Sequence, residues 1–366
     1  MAVPLLIFTL IVFFGLLSYY LIFSCLSLAK QSTLDDDEKQ GVSLIICAKN
    51  EAENLSRFIP VWIKQTGVEF ELIVVNDGST DQTAEVLLAL QKKYPTVKVI
   101  HLAPKQLSNL KGKRRALLAG IEKSSYDFVV LSDADCYPTS QRHLAKMLSR
   151  FKPGVDIVLG YSPYEKRKGL LNKFIQIETT LTALQYLSFA FIGIPYMGVG
   201  RNIAYRKAIL NERVFQKSNR TLSGDDDLLL AEVTTRSNTI ITLDLDNLVY
   251  TLPPSSFGEW MKQKQRHYST AKYYNLLKII LVGGFPFLSI LFYFALFLFL
   301  INDFEWTTVL SIYLSKWIIF VMFNYRNLQM LQNRRIIGNI LFLDLFWVVF
   351  LIFNHFKALK ANNGWS

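Results

Sequence analysis

Two aspartates separated by one small residue, Asp133-Ala134-Asp135, follow a β-rich apolar run. Carboxylates so placed can hold a hard divalent cation against anionic oxygens, and Mg2+ and Mn2+ both suit such ligands. Asn76-Asp77-Gly78-Ser79-Thr80-Asp81 combines turn residues with an N-cap for a helix starting near Gln82, and by itself reads as a strand-to-helix turn. Lys113-Arg114-Arg115 opens a further helix after Lys111 and Gly112. It is either a solvated basic face or a clamp for a diphosphate. Ser223-Gly224-Asp225-Asp226-Asp227 sets three adjacent carboxylates before Leu228-Leu229-Leu230. One suffices as a helix cap; mutual repulsion should raise the pKa of at least one of them, which suits a general base acting on a hydroxyl. Cys25, Cys47 and Cys136 have neither metal nor redox spacing, and their odd number argues against a disulfide framework. Cys136 reads as a buried thiol beside the acidic pair.

These groups need elements to position them. Short β-rich runs, VSLIIC (42–47), ELIVV (71–75), VKVIHL (97–102) and DFVVLSD (127–133), alternate with helical stretches. That alternation implies βαβ units and an α/β, mostly parallel sheet, with ligands at the carboxyl ends of its strands. The polar and acidic residues of the first, second and fourth runs stand at those ends. The expected organisation is a transmembrane anchor over residues 1–29, a linker over 30–41 and a catalytic domain over 42–254. An interfacial amphipathic segment over 255–278, three membrane segments (279–301, 306–324 and 336–354) and a tail over 355–366 complete it.

The membrane reading rests on hydrophobicity. At 51% hydrophobic the chain is too apolar for an ordinary soluble enzyme. Residues 1–29 carry no charged side chain and 279–301 are another uncharged run, each long enough to cross a hydrocarbon core that needs about 20 residues. The first run is longer than the apolar core of a signal peptide and lacks a preceding basic region, so it reads as an uncleaved anchor. The acidic stretch 35–38 reads as part of a solvated linker. Lys262, Lys264, Arg266, Lys272 and Lys278 precede the second span, while Arg326, Arg334 and Arg335 lie between the third and fourth. The positive-inside rule puts both flanks, and the catalytic domain with them, in the cytoplasm of what is expected to be a bacterial inner membrane. Four full crossings would leave Lys357 and Lys360 outside, against that rule, unless the last segment is re-entrant. The net charge of +11 is spread along the chain, which fits a membrane surface and an anionic donor; no nucleic-acid partner is expected.

Taken in order, the motifs resemble those of glycosyltransferase family 2, with its GT-A fold, from Val42 to about Tyr274. The family's opening strand and Asn-Glu turn look like Ile46 to Glu51, and its Asp-Gly-Ser-x-Asp turn looks like Asp77 to Asp81. Its Gly-Lys-x-x-Ala-Leu element is met by Gly112 to Leu117, its Asp-x-Asp by Asp133 and Asp135, and its Gly-Asp-Asp by Gly224 to Asp226. The resemblance implies a nucleotide-diphosphate sugar, with a UDP-sugar as first expectation, bound through Asn50, Glu51, Asp77, Lys113, Asp133, Gln263 and Arg266. It implies Asp135 as ligand to Mg2+ or Mn2+ and Asp226 as the base in an inverting transfer. Gly198 to Asn202 looks like the family's Gly-rich loop, which places Gly200, Arg201 and Asn202 with Asp225 and His267 on the acceptor side. Membrane-bound members often carry Gln-x-x-Arg-Trp on an interfacial helix; here it reads Gln263-Lys264-Gln265-Arg266-His267. With His267 in place of the stacking Trp, and few spans from which to build a channel, transfer of one sugar to a lipid or membrane-proximal saccharide is expected over processive synthesis coupled to export. A non-catalytic binding scaffold or a transporter would tolerate loss of the acidic positions, yet all are present.

Lys316 and Asp344 each interrupt an apolar segment, where a lone charge costs about 2.5 to 3.5 kcal/mol. In a helical hairpin they reach the same depth and are expected to pair.

Overall fold

The computed structural model describes residues 2–30, 40–103, 110, 112–220, 227–268, 270, 273–274 and 276–358. The acidic linker stretch 35–38, Asp225, Asp226 and most of the tail lie outside the described residues. β1 (Val42–Ala48), β2 (Phe70–Asn76), β3 (Val97–His101) and β4 (Phe128–Asp133) are the four β-rich runs of the sequence. They lie parallel in the spatial order β3-β2-β1-β4. β1 is buried along its whole length, as a central parallel strand covered on both faces should be.

Five shorter strands follow: β5 (Cys136–Pro138), β6 (Ile157–Leu159), β7 (Ile203–Arg206), β8 (Thr239–Ile241) and β9 (Val249–Thr251). β7 pairs antiparallel with β4 and β6, and β8 parallel with β6, extending the main sheet to seven strands. β5 and β9 form a separate antiparallel pair just past the end of β4. Runs of three or four residues carry too little periodicity to be read from sequence. Tertiary pairing makes them strands.

The apolar anchor is α1 (Ala2–Ser24). α2 (Ala52–Trp62), α3 (Thr83–Lys93), α4 (Arg114–Lys123) and α5 (His143–Leu148) accompany the parallel strands. α4 comes close to β1 and β2 at Gly120, where a Cβ would stand 2.7 Å from an Ile45 methyl. This contact sets the helix so that its basic first turn overhangs the carboxyl edge of the sheet. His143, at the start of α5, is fully buried beside the edge of the Trp62 ring, and burial pushes its imidazole down to about 3.

α6 (Leu170–Phe191) is buried over most of its length between the sheet and the apolar helices. α7 (Glu212–Ser218) and α8 (Asp227–Val233) precede α9 (Phe257–Tyr268). α10 (Leu276–Ile301), α11 (Trp306–Met330) and α12 (Ile336–Ala358) complete the chain. Like α1, all three are long and apolar enough to cross a membrane.

Several polar side chains tie these helices to one another and to α6. Pro286 has no N–H to offer the Val282 carbonyl one turn before it. Gln185 of α6 supplies the missing donor, its Nε2 lying 2.9 Å from the Val282 oxygen. The Tyr19 hydroxyl of α1 donates to the Leu281 carbonyl at 3.1 Å, and Gly284 leaves it room, since a Cβ there would stand 2.2 Å from that oxygen. Asn327 donates to the Phe23 carbonyl at the end of α1 (2.7 Å), and Asn333 to the Thr180 hydroxyl of α6 (2.8 Å).

Lys316 and Asp344 form a buried ion pair at 2.6 Å, each about 2–3% exposed. Tyr293 of α10 also donates to Asp344, and Lys316 Nζ lies 4.9 Å from the centroids of the Phe292 and Tyr293 rings. The pair therefore joins three helices. The third and fourth apolar helices are thus paired as expected, with the Tyr313 hydroxyl of α11 also donating to the Leu341 carbonyl of α12, but α12 packs more extensively on α6 and α9, so the setting is broader than a two-helix hairpin.

Two predictions follow from this packing. Lys316→Leu leaves Asp344 without its cation at a cost of about 3–5 kcal/mol, and adding Asp344→Leu should restore part of it. Thermal midpoints in detergent would show this, and a double variant less stable than either single one would rule the coupling out. For His143, the unfolded chain takes up a proton below pH 6.5 that the folded chain, titrating at about 3, refuses. Stability should thus fall with acidification through that window, by up to about 1.4 kcal/mol per pH unit from this group. Denaturant titrations between pH 7 and 4 should give a shallower fall for His143→Phe.

Candidate active site

The carboxyl ends of β2, β1 and β4 are neighbours in the sheet, with Ala48 in register with Asn76, and Cys47 with Asp133. The turn after β1 bends through Asn50, whose φ of 58° is left-handed and tolerated by few residues other than glycine and asparagine. Its side-chain oxygen accepts from the Thr80 backbone N–H at 2.8 Å, and its own N–H donates to Ser79 Oγ at 2.9 Å. Asp81 accepts from the N–H groups of Thr83 (3.0 Å) and Ala52 (3.4 Å), stitching the starts of α3 and α2 together. α3 starts at Thr83, one residue later than the sequence suggests. Asn50 and Asp81 thus build the walls of the cleft. Glu51 accepts from Asn54 Nδ2 at 2.7 Å; burial, together with the charges of Asp135 and Asp133, pushes its carboxyl up against that hydrogen bond.

α4 delivers two cations to this edge. Lys113 pairs with Asp133, and Arg115 pairs with Asp77, which is only 8% exposed. Arg115 is the partner that sequence reading did not assign. The Lys-Arg-Arg run offered three candidates, and only packing of α4 separates them, since Arg114 is turned wholly inward.

Asp133 and Asp135 are held differently. Burial within the cleft works against ionisation of Asp133, yet Lys113 beside it keeps its carboxyl below the usual range. Burial, followed by the charge of Asp133, pushes Asp135 up. Asp135 accepts from Thr251 Oγ1 of β9 at 2.9 Å and from the Cys136 thiol at 3.2 Å. The β5–β9 pair therefore orients it. Asp133, Asp135 and Cys136 bring potential ligand atoms within 4.8 Å of one another. Cys136 is fully buried and burial pushes its thiol well up, so it serves as a hydrogen-bond donor and not as an anionic sulfur ligand. The two carboxylates, which repel one another, are the donor set a hard divalent cation fits.

The Gly-rich loop leads into β7. Gly200 is buried at its end. Arg201 donates from Nε to Ser162 Oγ (2.7 Å) and stands over the Tyr164 ring, 5.1 Å from its centroid. Despite burial, Arg201 keeps its charge beside Tyr164 and the carboxylates of Asp133 and Asp135. Asn202 does not reach the cleft: it is fully buried, and its amide donates to the Tyr161 and Asn247 carbonyls, both at 2.7 Å.

Tyr164 also connects the loop to α9, its hydroxyl donating to Gln263 Oε1 at 2.9 Å. Gln263 and Arg266 are one helical step apart on a shared face. His267 is exposed, on the same helix as Lys264 and Arg266 and facing the charges of Arg201 and Asp133. α9 itself is clamped from below. Lys264 forms a buried ion pair with Glu178 of α6 at 2.5 Å, and Trp260 is fully buried. Of the three adjacent carboxylates, Asp227, the first residue of α8, is described, and it accepts from the Tyr274 hydroxyl at 3.1 Å. That bond draws the start of α8 toward the segment after α9.

Residues 43–214 match the family described as Glycosyl transferase family 2. The poly-beta-1,6-N-acetyl-D-glucosamine synthase of Staphylococcus aureus is 29% identical over 154 residues, which are 42% of this chain and 36% of that protein. The probable glycosyltransferase YdaM of Bacillus subtilis is 27% identical over 267 residues, covering 66% of this chain and 58% of its own length. The chain therefore spans less than two thirds of the length of either relative. Among solved structures, the mannosyltransferase PcManGT from Pyrobaculum calidifontis, in complex with GDP-Man and Mn2+, superposes with a TM-score of 0.60 at 16% identity. The superposition covers 93% of this chain and 99% of that one, so the fold is shared over nearly the whole length. The unit built on β1 to β4 is a glycosyltransferase family 2 domain of GT-A fold, joined to apolar helices at both ends.

Proposed function

We propose that this protein is a membrane-bound, inverting glycosyltransferase that moves one sugar from a nucleotide-diphosphate donor to a lipid or membrane-proximal saccharide, with its catalytic domain on the cytoplasmic side of a bacterial membrane. The observation that carries this reading is the convergence of Asp133 and Asp135 with Lys113 and Arg201 at the carboxyl end of β4. Such a site supplies negative oxygens for a cation and positive groups for a diphosphate within one cleft.

In this reading the nucleotide lies along the ends of β1 and β2, against Asn50, Glu51 and Asp77, the last held in place by Arg115. Asp135, oriented by Thr251, would hold Mg2+ or Mn2+ with Asp133 beside it. The bound cation would neutralise charge developing on the departing diphosphate. Lys113 and Arg201 stabilise the same charge from fixed positions, and Gln263 and Arg266 close over it from α9. Asp226 takes the proton of the acceptor hydroxyl as that oxygen bonds to the anomeric carbon and the diphosphate leaves from the opposite face. One displacement inverts the centre. Gly200, Arg201 and His267 serve the acceptor side, a role this reading also gives Asp225; Asn202 acts from behind, as the buried support of the loop.

A second reading, processive polymer synthesis, is favoured by the name of the S. aureus relative, with which the catalytic region shares 29% identity. Purified protein supplied with UDP- and GDP-sugars and Mn2+ or Mg2+, with and without a lipid extract, separates the two. Nucleoside diphosphate release that needs both metal and lipid, with a single sugar added, supports the first; long polymer supports the second; no release from any donor overturns both. Asp226→Asn is expected to lower turnover by roughly 10² to 10⁴ with donor affinity nearly intact. Asp135→Asn should abolish metal-dependent donor binding, and Thr251→Val should weaken it by about tenfold, as read by calorimetry. Equal loss of donor affinity in the Asp226 and Asp135 variants would refute the division of roles.

A further inference from the structure

α12 has the length and hydropathy of a membrane span, but its most extensive contacts are with α6 and α9, beside those with α10 and α11. At its start, Asn333 in the preceding turn donates to Thr180 of α6. Fourteen residues into it, about 21 Å along its axis, Phe350 stacks on Trp260 of α9 with centroids 4.1 Å apart and planes at 11°. Phe350 also meets Phe174 of α6 edge-on at 5.5 Å. A helix that crossed the bilayer away from Asn333 would carry Phe350 toward the opposite surface. Here Asn333 and Phe350 touch α6 at points six residues, or about 9 Å, apart.

α9 cannot follow α12 across a bilayer. It carries Lys262, Lys264 and Arg266 in two turns, and its Gln263 is bonded to Tyr164 of the cleft. Charged side chains are too costly at bilayer depth for such a helix to lie there. The face of α12 away from α6 and α9 is apolar and exposed, with Phe342, Leu345, Phe346, Val349 and Phe353 at helical spacing. Hydrocarbon covers such a stripe when the helix lies at the membrane surface of the domain.

We propose that α12 does not complete a crossing: it lies in the membrane against α6 and α9, its stripe facing acyl chains, and its carboxyl end returns to the side of the bilayer that holds the catalytic domain. Three crossings then remain, α1, α10 and α11. Lys357 and Lys360 fall on the same side as Arg326, Arg334 and Arg335, which removes the departure from the positive-inside rule that four crossings impose. The inference does not depend on which sugar is moved, or on whether one is.

Single cysteines placed at Lys92, Asp303 and Lys360 in a Cys25→Ser full-length background test it, since Cys47 and Cys136 are buried. A membrane-impermeant maleimide is applied to intact spheroplasts and to inverted vesicles. Lys360→Cys should label from the same side as Lys92→Cys on α3, and Asp303→Cys in the α10–α11 turn from the other. Labelling of Lys360→Cys together with Asp303→Cys overturns the proposal. Fusions of green fluorescent protein and of alkaline phosphatase to the end of the unsubstituted chain give a second readout that needs no folded variant. Fluorescence without phosphatase activity supports the returned end, and the reverse overturns it.

Discussion

α6 is the wall shared by the two halves of the molecule, and burial on both of its faces is the constraint from which much of the architecture follows. A helix without a solvent face must satisfy its polar groups locally. Glu178 does so with Lys264, Gln185 with the carbonyl that Pro286 leaves open, and Thr180 with Asn333. Each of these partners belongs to a different element: α9, α10 and the turn before α12. The apolar helices are thereby docked to the sheet by directional bonds, where apolar packing alone would leave their register loose.

The cleft is arranged around a second constraint, the crowding of carboxylates at one sheet edge. Glu51, Asp77, Asp133 and Asp135 all lie there, and their repulsion is balanced by Lys113, Arg115 and Arg201. The balance is uneven. Asp77 and Asp133 each have a cation of their own, whereas Asp135 is held by a hydroxyl and a thiol and carries the repulsion of its neighbour. A cation added to the site would meet its least compensated oxygen there. Arg201 then passes the arrangement outward through Tyr164 to Gln263, so the floor of the cleft and the helix beside it are mechanically one piece.

The sequence by itself determined the class of fold and which acidic side chains gather at one edge of the sheet. Parallel strands buried on both faces must be apolar runs, and the residues that end such runs must lie at one edge of the sheet. Hence Asp77, Asp133 and Asp135 were legible as neighbours before any coordinate was known, and so were the apolar helices, because a bilayer demands uninterrupted length. The Lys316–Asp344 pair was legible for a related reason: two charges too costly to stand alone must find each other.

What only the tertiary structure decided was the use of groups whose local surroundings look alike in sequence. Lys113, Arg114 and Arg115 are adjacent cations; the fit of Gly120 against Ile45 turns one toward Asp133, one into the core and one toward Asp77. Asn202 reads as a loop residue open to ligand, yet two carbonyls 41 and 45 residues away take its amide inward. Thr251 becomes the orienting donor for Asp135 through a strand pairing that spans 115 residues. The path of α12 is of the same kind. Hydropathy registers that a helix prefers hydrocarbon, but which way it runs is set by aromatic contacts with α6 and α9, and those depend on the fold as a whole.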